Sequence, residues 1–182
     1  MAKLKSYVAF LRGINVGGNK IIKMEDLRRA FESLGLQNVK TILASGNVIF
    51  ETEKPSATLA GAIQAQLKKS FGFDVGVTLR SIAEIQDVVD LDPFKGIAVT
   101  PQTRLYVTFL PDKPGTAIKT PVESPEKHYR ILQIANGAVF SVLTLTPNTK
   151  STDLMGMLDK TFGKKVTTRN WNTIAAILKS SK

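Results

Sequence analysis

The chain repeats itself. Tyr7-Val8-Ala9-Phe10-Leu11 returns 99 positions later as Tyr106-Val107-Thr108-Phe109-Leu110. Ala44, Gly46, Val48, Thr58, Leu67, Lys69, Phe71, Gly72 and Val75 recur at a constant offset of 91, as Ala135, Gly137, Val139, Thr149, Leu158, Lys160, Phe162, Gly163 and Val166. These are nine identities across 32 positions without a gap. A repeat on this scale restricts the chain to two similar assemblies of secondary structure. It also supplies an internal comparison. Residues present in both copies are expected to build the scaffold, and residues present in one are where function is expected.

The comparison singles out two segments. After Leu11 the first copy runs Arg12-Gly13-Ile14-Asn15-Val16-Gly17-Gly18-Asn19-Lys20, whereas after Leu110 the second runs Pro111-Asp112-Lys113-Pro114-Gly115. Eight residues are lost there as the offset falls from 99 to 91. Near the other end, Thr78-Leu79-Arg80-Ser81 of the first copy faces Thr168-Arg169-Asn170-Trp171-Asn172-Thr173 of the second.

The local pattern predicts strand, helix, two strands, helix, strand in each copy. Tyr7–Leu11 is a β-branched and aromatic run ended by Gly13. Met24, Leu27, Phe31 and Leu34 fall at helical spacing before Gly35. Two strands flank Ser45-Gly46, and in the second copy Asn136-Gly137, a strong hairpin signal. Ser56, and Ser151 or Thr152, are expected to cap the helices that Gly72 and Gly163 end. Ser81-Ile82-Ala83-Glu84 has the capping-box pattern. Pro111, Pro114, Pro121 and Pro125 leave room for no more than a short or broken first helix in the second copy. The order βαββαβ is the ferredoxin-like pattern. The expected fold is therefore α+β, two tandem ferredoxin-like lobes from an internal duplication. Residues 1–90 form the first lobe, 91–103 a linker, and 104–182 the second lobe with a C-terminal helix. Lobes of about 90 residues have marginal cores alone and are expected to pack together.

Among the 182 residues there is no cysteine, which removes disulfide and thiolate chemistry and fits the cytoplasm. No run approaches the ~20 apolar residues of a membrane span, and the N-terminus lacks a signal-peptide pattern. The formal charge is +10. It is uneven, with net +3 over residues 1–91 (12 basic, 9 acidic) and +7 over 92–182 (13 basic, 6 acidic). Such a balance attracts phosphates, free or in nucleic acid. Equally, it can serve solubility alone.

In the Arg12–Lys20 loop, Gly17 and Gly18 let backbone amides approach a ligand. Arg12 and Lys20 bring charge, and Asn15 and Asn19 bring donors, a set suited to phosphate or carboxylate. It matches neither G-x-G-x-x-G nor a loop ending in G-K-[ST], and a long strain-relieving turn would use the same glycines. Glu25 and Asp26 already complement the dipole of the following helix, so an anion belongs in the loop itself. Asn47 is polar where the second copy has Ala138, which adds it to the candidates beside its role in the turn. Asn170 or Thr168 can cap the last helix. Arg169 stands against that helix's dipole, so local stability does not account for it. Trp171, the single tryptophan, is in phase with Ile174 and Leu178 and reads as core before it reads as a stacking platform. Arg12 and Arg169 are expected to face one anion. His128 is the single histidine, so no catalytic triad or metal cluster can be assembled. Asp90 and Asp92, in a Pro-bounded stretch, read as solvated turn residues. Exposed aromatics expected of an RNA-recognition strand are missing from Gly46–Phe50.

Arg12–Gly18, Ser45-Gly46-Asn47-Val48 and Arg169-Asn170-Trp171-Asn172-Thr173 resemble the corresponding elements of a bacterial family, domain-of-unknown-function family 1697, over nearly the whole chain. The resemblance implies two ferredoxin-like α/β subdomains and brings no activity, cofactor or catalytic residue. The leading expectation is a cytoplasmic protein that binds an anionic, phosphate-bearing ligand, nucleotide or nucleic acid. The contacts would be Arg12, Asn15, Gly17, Gly18, Asn19, Lys20, Asn47, Arg169 and Asn170. No cofactor, metal or membrane partner is predicted. The alternatives are an enzyme acting on a small phosphorylated or carboxylated metabolite, and a basic interaction module without ligand chemistry.

Overall fold

The computed structural model describes residues 3–111 and 118–182. The loop residues Asp112, Lys113, Pro114 and Gly115 of the second copy therefore lie outside the described residues. The architecture is mixed α and β, with a four-stranded and a five-stranded antiparallel sheet and five helices among the described residues. By internal contacts the chain forms two compact units, Met1–Ile85 with Ala175–Lys182, and Gln86–Ile174. None of the described helices is long and apolar enough to cross a membrane.

In the first unit, β1 (Lys5–Arg12), α1 (Met24–Glu32), β2 (Gln37–Ile42), β3 (Asn47–Thr52), α2 (Ser56–Phe71) and β4 (Gly76–Ser81) follow in order, and α3 (Ile82–Asp90) begins there. The sheet order is β2-β3-β1-β4. Alternation along the strands sends Tyr7, Ala9, Leu11, Val48 and Phe50 into one core with Leu27 and Phe31 of α1 and Leu59, Ile63 and Leu67 of α2. Phe50 lies at its centre, with ring centroids 5.9 Å from Tyr7 and 5.7 Å from Phe31. Burying such a side chain contributes about 1.5–3 kcal/mol.

The second unit contains β5 (Thr103–Phe109), β6 (Val122–Glu123), β7 (Tyr129–Ala135), β8 (Ala138–Thr144), α4 (Ser151–Phe162) and β9 (Thr167–Asn170), and α5 (Trp171–Ser180) begins there. Its sheet order is β6-β7-β8-β5-β9. Without β6, this is the order of the first sheet strand for strand. The registers agree as well. Tyr7 faces Phe50 as Tyr106 faces Ser141, and Val8 faces Arg80 as Val107 faces Arg169. Leu11 N–H donates to Gly46 O at 2.8 Å, and Leu110 N–H to Gly137 O at 2.9 Å.

The departures have local causes. Among the described residues no helix stands between β5 and β7. β6 pairs along β7 instead, in a stretch where Pro111, Pro121 and Pro125 deny helical N–H groups. Ser141 takes the register position of Phe50, and its fully buried hydroxyl has no hydrogen-bond partner. The turn between β2 and β3 spans four residues, Leu43 to Gly46, against two, Asn136 and Gly137, in the second sheet. The final strands are offset by 89, pairing Thr78 with Thr167 in register, so the Val75–Val166 identity is not a structural equivalence.

The capping box forms, with Ser81 Oγ accepting from Glu84 N–H and Glu84 Oε2 from Ser81 N–H. Ser56 and Ser151 are not caps. They are first helical residues after Pro55 and Lys150, and neither of those supplies a side-chain cap. Proline at the boundary fixes an extended entry to α2, which leaves Ser56 inside the helix.

Candidate functional site

One end of the first sheet gathers three connecting stretches of the first unit. The antiparallel registers bring the last residues of β1 and β2 and the first residues of β3 and β4 to this end. The Arg12–Lys23 connection, the Leu43–Gly46 turn and the stretch from Gly72 to Val75 meet there.

The Arg12–Lys20 loop folds on itself as a small hairpin. Asn15 N–H donates to Lys20 O at 3.2 Å and Asn19 N–H to Val16 O at 3.0 Å, with Gly17 and Gly18 at the tip. Both glycines have left-handed φ, 58° and 76°, and nothing lies within 4 Å of where a Cβ would stand. Backbone conformation, not crowding by the protein, accounts for glycine there.

Asn15 fastens the loop. Its Oδ1 accepts from Ile22 N–H at 2.8 Å, and its Nδ2 donates to Ile22 O at 3.1 Å and Ala44 O at 3.0 Å. A residue at φ 54° with a short amide side chain suits both demands. Beneath it, a Cβ on Gly46 would stand 2.8 Å from Ile14 Cδ1 and 2.9 Å from Leu11 Cβ, so the turn rests directly on the loop's buried isoleucine. Lys20 Nζ donates to Asp74 O at 2.7 Å and lies 5.7 Å from the Phe73 ring centroid. Asn47 is buried, with its amide donating to Ile42 O and Ser45 Oγ. Arg12 is half-buried at the end of β1, opposite Gly76. Asn19 is exposed.

Of the expected residues, Arg12, Asn15, Gly17, Gly18, Asn19, Lys20 and Asn47 thus belong to the first unit. Arg169 and Asn170 belong to the second. In the second unit Asn170 Oδ1 accepts from Asn172 N–H at 3.0 Å and caps α5. Arg169 Nη1 donates to Thr167 Oγ1 and Thr168 O, both at 3.0 Å. Burial pushes this guanidinium down to about 10, which still leaves it charged at neutral pH. Arg80, at the same register in the first sheet, folds back in the same way onto Leu79 O at 2.8 Å. Trp171 packs edge-on against Phe94 at 5.0 Å and Phe140 at 6.4 Å, in an aromatic cluster of the second unit. Among the described residues no group of three His, Cys, Asp or Glu could hold a metal ion.

Sequence reasoning missed the residues that hold the loop. Ile22, Ala44 and Asp74 act through backbone carbonyls and amides, which carry no side-chain signal. Val16, Ile21 and Leu43 were also passed over, although large apolar residues in a glycine-rich loop and a turn are a signal. All three are exposed, at 66%, 68% and 59%.

No curated protein gives a significant match to this chain. Two solved structures are similar. A conserved bacterial protein from Streptococcus pneumoniae is 19% identical with a TM-score of 0.72, over 99% of this chain and 100% of the other, and shares the fold. A protein of unknown function from Galdieria sulphuraria is 14% identical with a TM-score of 0.29, over 92% and 98%, and carries no argument at that score. The model of the family described as "protein of unknown function (DUF1697)" matches residues 4–140. The chain belongs to that family.

Proposed function

We propose that the chain binds an anionic, phosphate-bearing ligand, a nucleotide or nucleic acid, with the Arg12–Lys20 loop as the first contact and Arg169 with Asn170 as the second. We further infer that the two sheets descend from one duplicated ferredoxin-like lobe; their common strand order and register support that reading. On this view the loop is an addition to a scaffold that folds without it.

The observation that carries the proposal is the Gly17-Gly18 tip. It is exposed, held in left-handed turn geometry on a fastened base, and uncovered by any protein atom within 4 Å of either Cβ position. Successive backbone amides in such a turn suit an anion. The side-chain amides of Asn15 and Asn47 are spent on the protein's own groups, so they support contacts made by Arg12, the glycines and Lys20. In the second unit, Lys160, Lys164 and Lys165 are exposed at and beyond the end of α4 and suit a longer polyanion.

Titration calorimetry with ATP and with a short oligonucleotide at low salt tests the proposal. Arg12→Ala and Arg169→Ala are each expected to weaken binding by about 1.5–3 kcal/mol, as for charged hydrogen bonds. Neutralising Lys160, Lys164 and Lys165 together is expected to flatten the salt dependence of oligonucleotide binding by up to about three units of log K against log salt. Binding of ATP alone selects the small-ligand version. Binding of neither removes the proposal.

A further inference from the structure

Three exposed aliphatic side chains sit next to one fastening point. The Asn15 side chain joins three stretches of chain: its own, that of Ile22 and that of Ala44. Each joined residue has an exposed aliphatic neighbour in sequence: Val16 beside Asn15, Ile21 beside Ile22, Leu43 beside Ala44. The hydrogen bonds are 2.8–3.1 Å, so the three residues attach to the chain within one small region. Single exposed hydrophobics need no explanation, but three held together by one buttress do. The turn does not require Leu43, since the second sheet closes its hairpin with Asn136-Gly137.

The surroundings are basic. Lys20 and Lys23 flank the loop's return, and Lys69 ends α2 beside it. Of the nearby acids, Asp74 pairs with Lys68 at 3.1 Å, and Glu25 and Asp26 pair with Arg29. A second copy of the same end would meet like charge. The occupant must therefore be both anionic and apolar. Nucleic acid fits less well, because every exposed large hydrophobic among the described residues is aliphatic and offers no ring for base stacking.

We infer that this end of the first unit docks on an anionic phospholipid surface, with Val16, Ile21 and Leu43 entering the acyl boundary and the lysines and glycine amides meeting headgroup phosphates. The inference rests on the anion reading and deepens it by naming the source of the phosphate. It is a surface contact by loops, compatible with a chain that has no apolar run long enough to span.

Co-sedimentation of the full chain with vesicles tests it. The chain is expected to bind phosphatidylcholine vesicles containing phosphatidylglycerol, and not pure phosphatidylcholine. A triple variant, Val16→Ser, Ile21→Ser and Leu43→Ser, is expected to lose at least about tenfold in partitioning. Because all three side chains are exposed, its melting curve should match the wild type. The chain has no cysteine, so Val16→Cys takes one environment-sensitive dye, whose emission should shift blue on anionic vesicles. No binding to anionic vesicles, or equal binding by the triple variant, overturns the inference. If vesicles fail while ATP or an oligonucleotide still binds, the anion reading stands and the lipid source falls. If vesicles bind and neither soluble probe does, the lipid inference stands and the nucleotide and nucleic-acid reading falls.

Discussion

The two sheets differ least where the chain is most buried and most where it turns. β1 meets β3 and β4 in the same registers as β5 meets β8 and β9, and the Leu11 and Leu110 amides donate alike to the glycine of the neighbouring turn. Yet, among the described residues, the first unit has a helix, a fastened glycine loop and a four-residue turn, and the second has prolines, a two-residue strand and a two-residue turn. Similar sheets with different caps teach that sheet register tolerates large changes in connection. They also locate what is peculiar to the first unit.

Phe50 and Ser141 break or sharpen this comparison most strongly, since they share a register position beneath different cover. Phe50→Ala is expected to destabilise by about 3–5 kcal/mol in denaturant unfolding, because its ring fills the space under α1. A loss near zero would mean that Phe50 does not organise the first core. Gly46 comes next. Gly46→Ala adds a Cβ at 2.8 Å from Ile14 to a residue at φ 83°, and is expected to cost about 3 kcal/mol from strain and overpacking together. Gly18→Ala, at φ 76° in open space, should cost about 1 kcal/mol. Equal costs would deny that the turn rests on the loop.

Asn15→Ala removes three hydrogen bonds at the loop's base and is expected to cost about 2 kcal/mol. Amide exchange at Ile22 should accelerate by more than at any residue of the second sheet; unchanged exchange there would show that the loop is held by something else. The smallest effect is expected at Ser141. Its hydroxyl is buried without a partner, so Ser141→Ala should be neutral or stabilise by about 1 kcal/mol. A clear destabilisation would reveal a polar partner for Ser141 in the folded protein.

The hairpins, the helix-ending glycines and the capping box at Ser81 were legible because each depends on residues adjacent in sequence. Gly46 and Gly137 each accept from the residue that ends the shared run, Leu11 and Leu110. The eight-residue deficit was legible in total but not in its parts. Six residues are lost before β7 and two in the turn, because β2 and β7, which lie between, share no identities that would mark the intermediate offset of 93, as in Gln37 with Arg130. The candidate loop was legible as glycine and charge. Its fastening was not, since Asn15 bonds to the backbone of Ala44, 29 residues away, and any residue could have supplied that carbonyl. Arg169 was noticed because it opposes a helix dipole, but its burial depends on packing that no local pattern reports.

The central claim is that the Arg12–Lys20 loop, with Arg169 and Asn170, binds the ligand and the rest of the two sheets does not. An amide-resolved NMR titration with ATP reads both copies in one experiment. The account predicts shifts at Gly13, Gly17, Gly18, Asn19 and Lys20, and at Arg169 and Asn170, while the shared turn at Asn136-Gly137 and the strand Tyr106–Phe109 stay still. Shifts centred on Asn136-Gly137 or spread evenly over both sheets, with the Gly17-Gly18 tip unmoved at saturation, would contradict it.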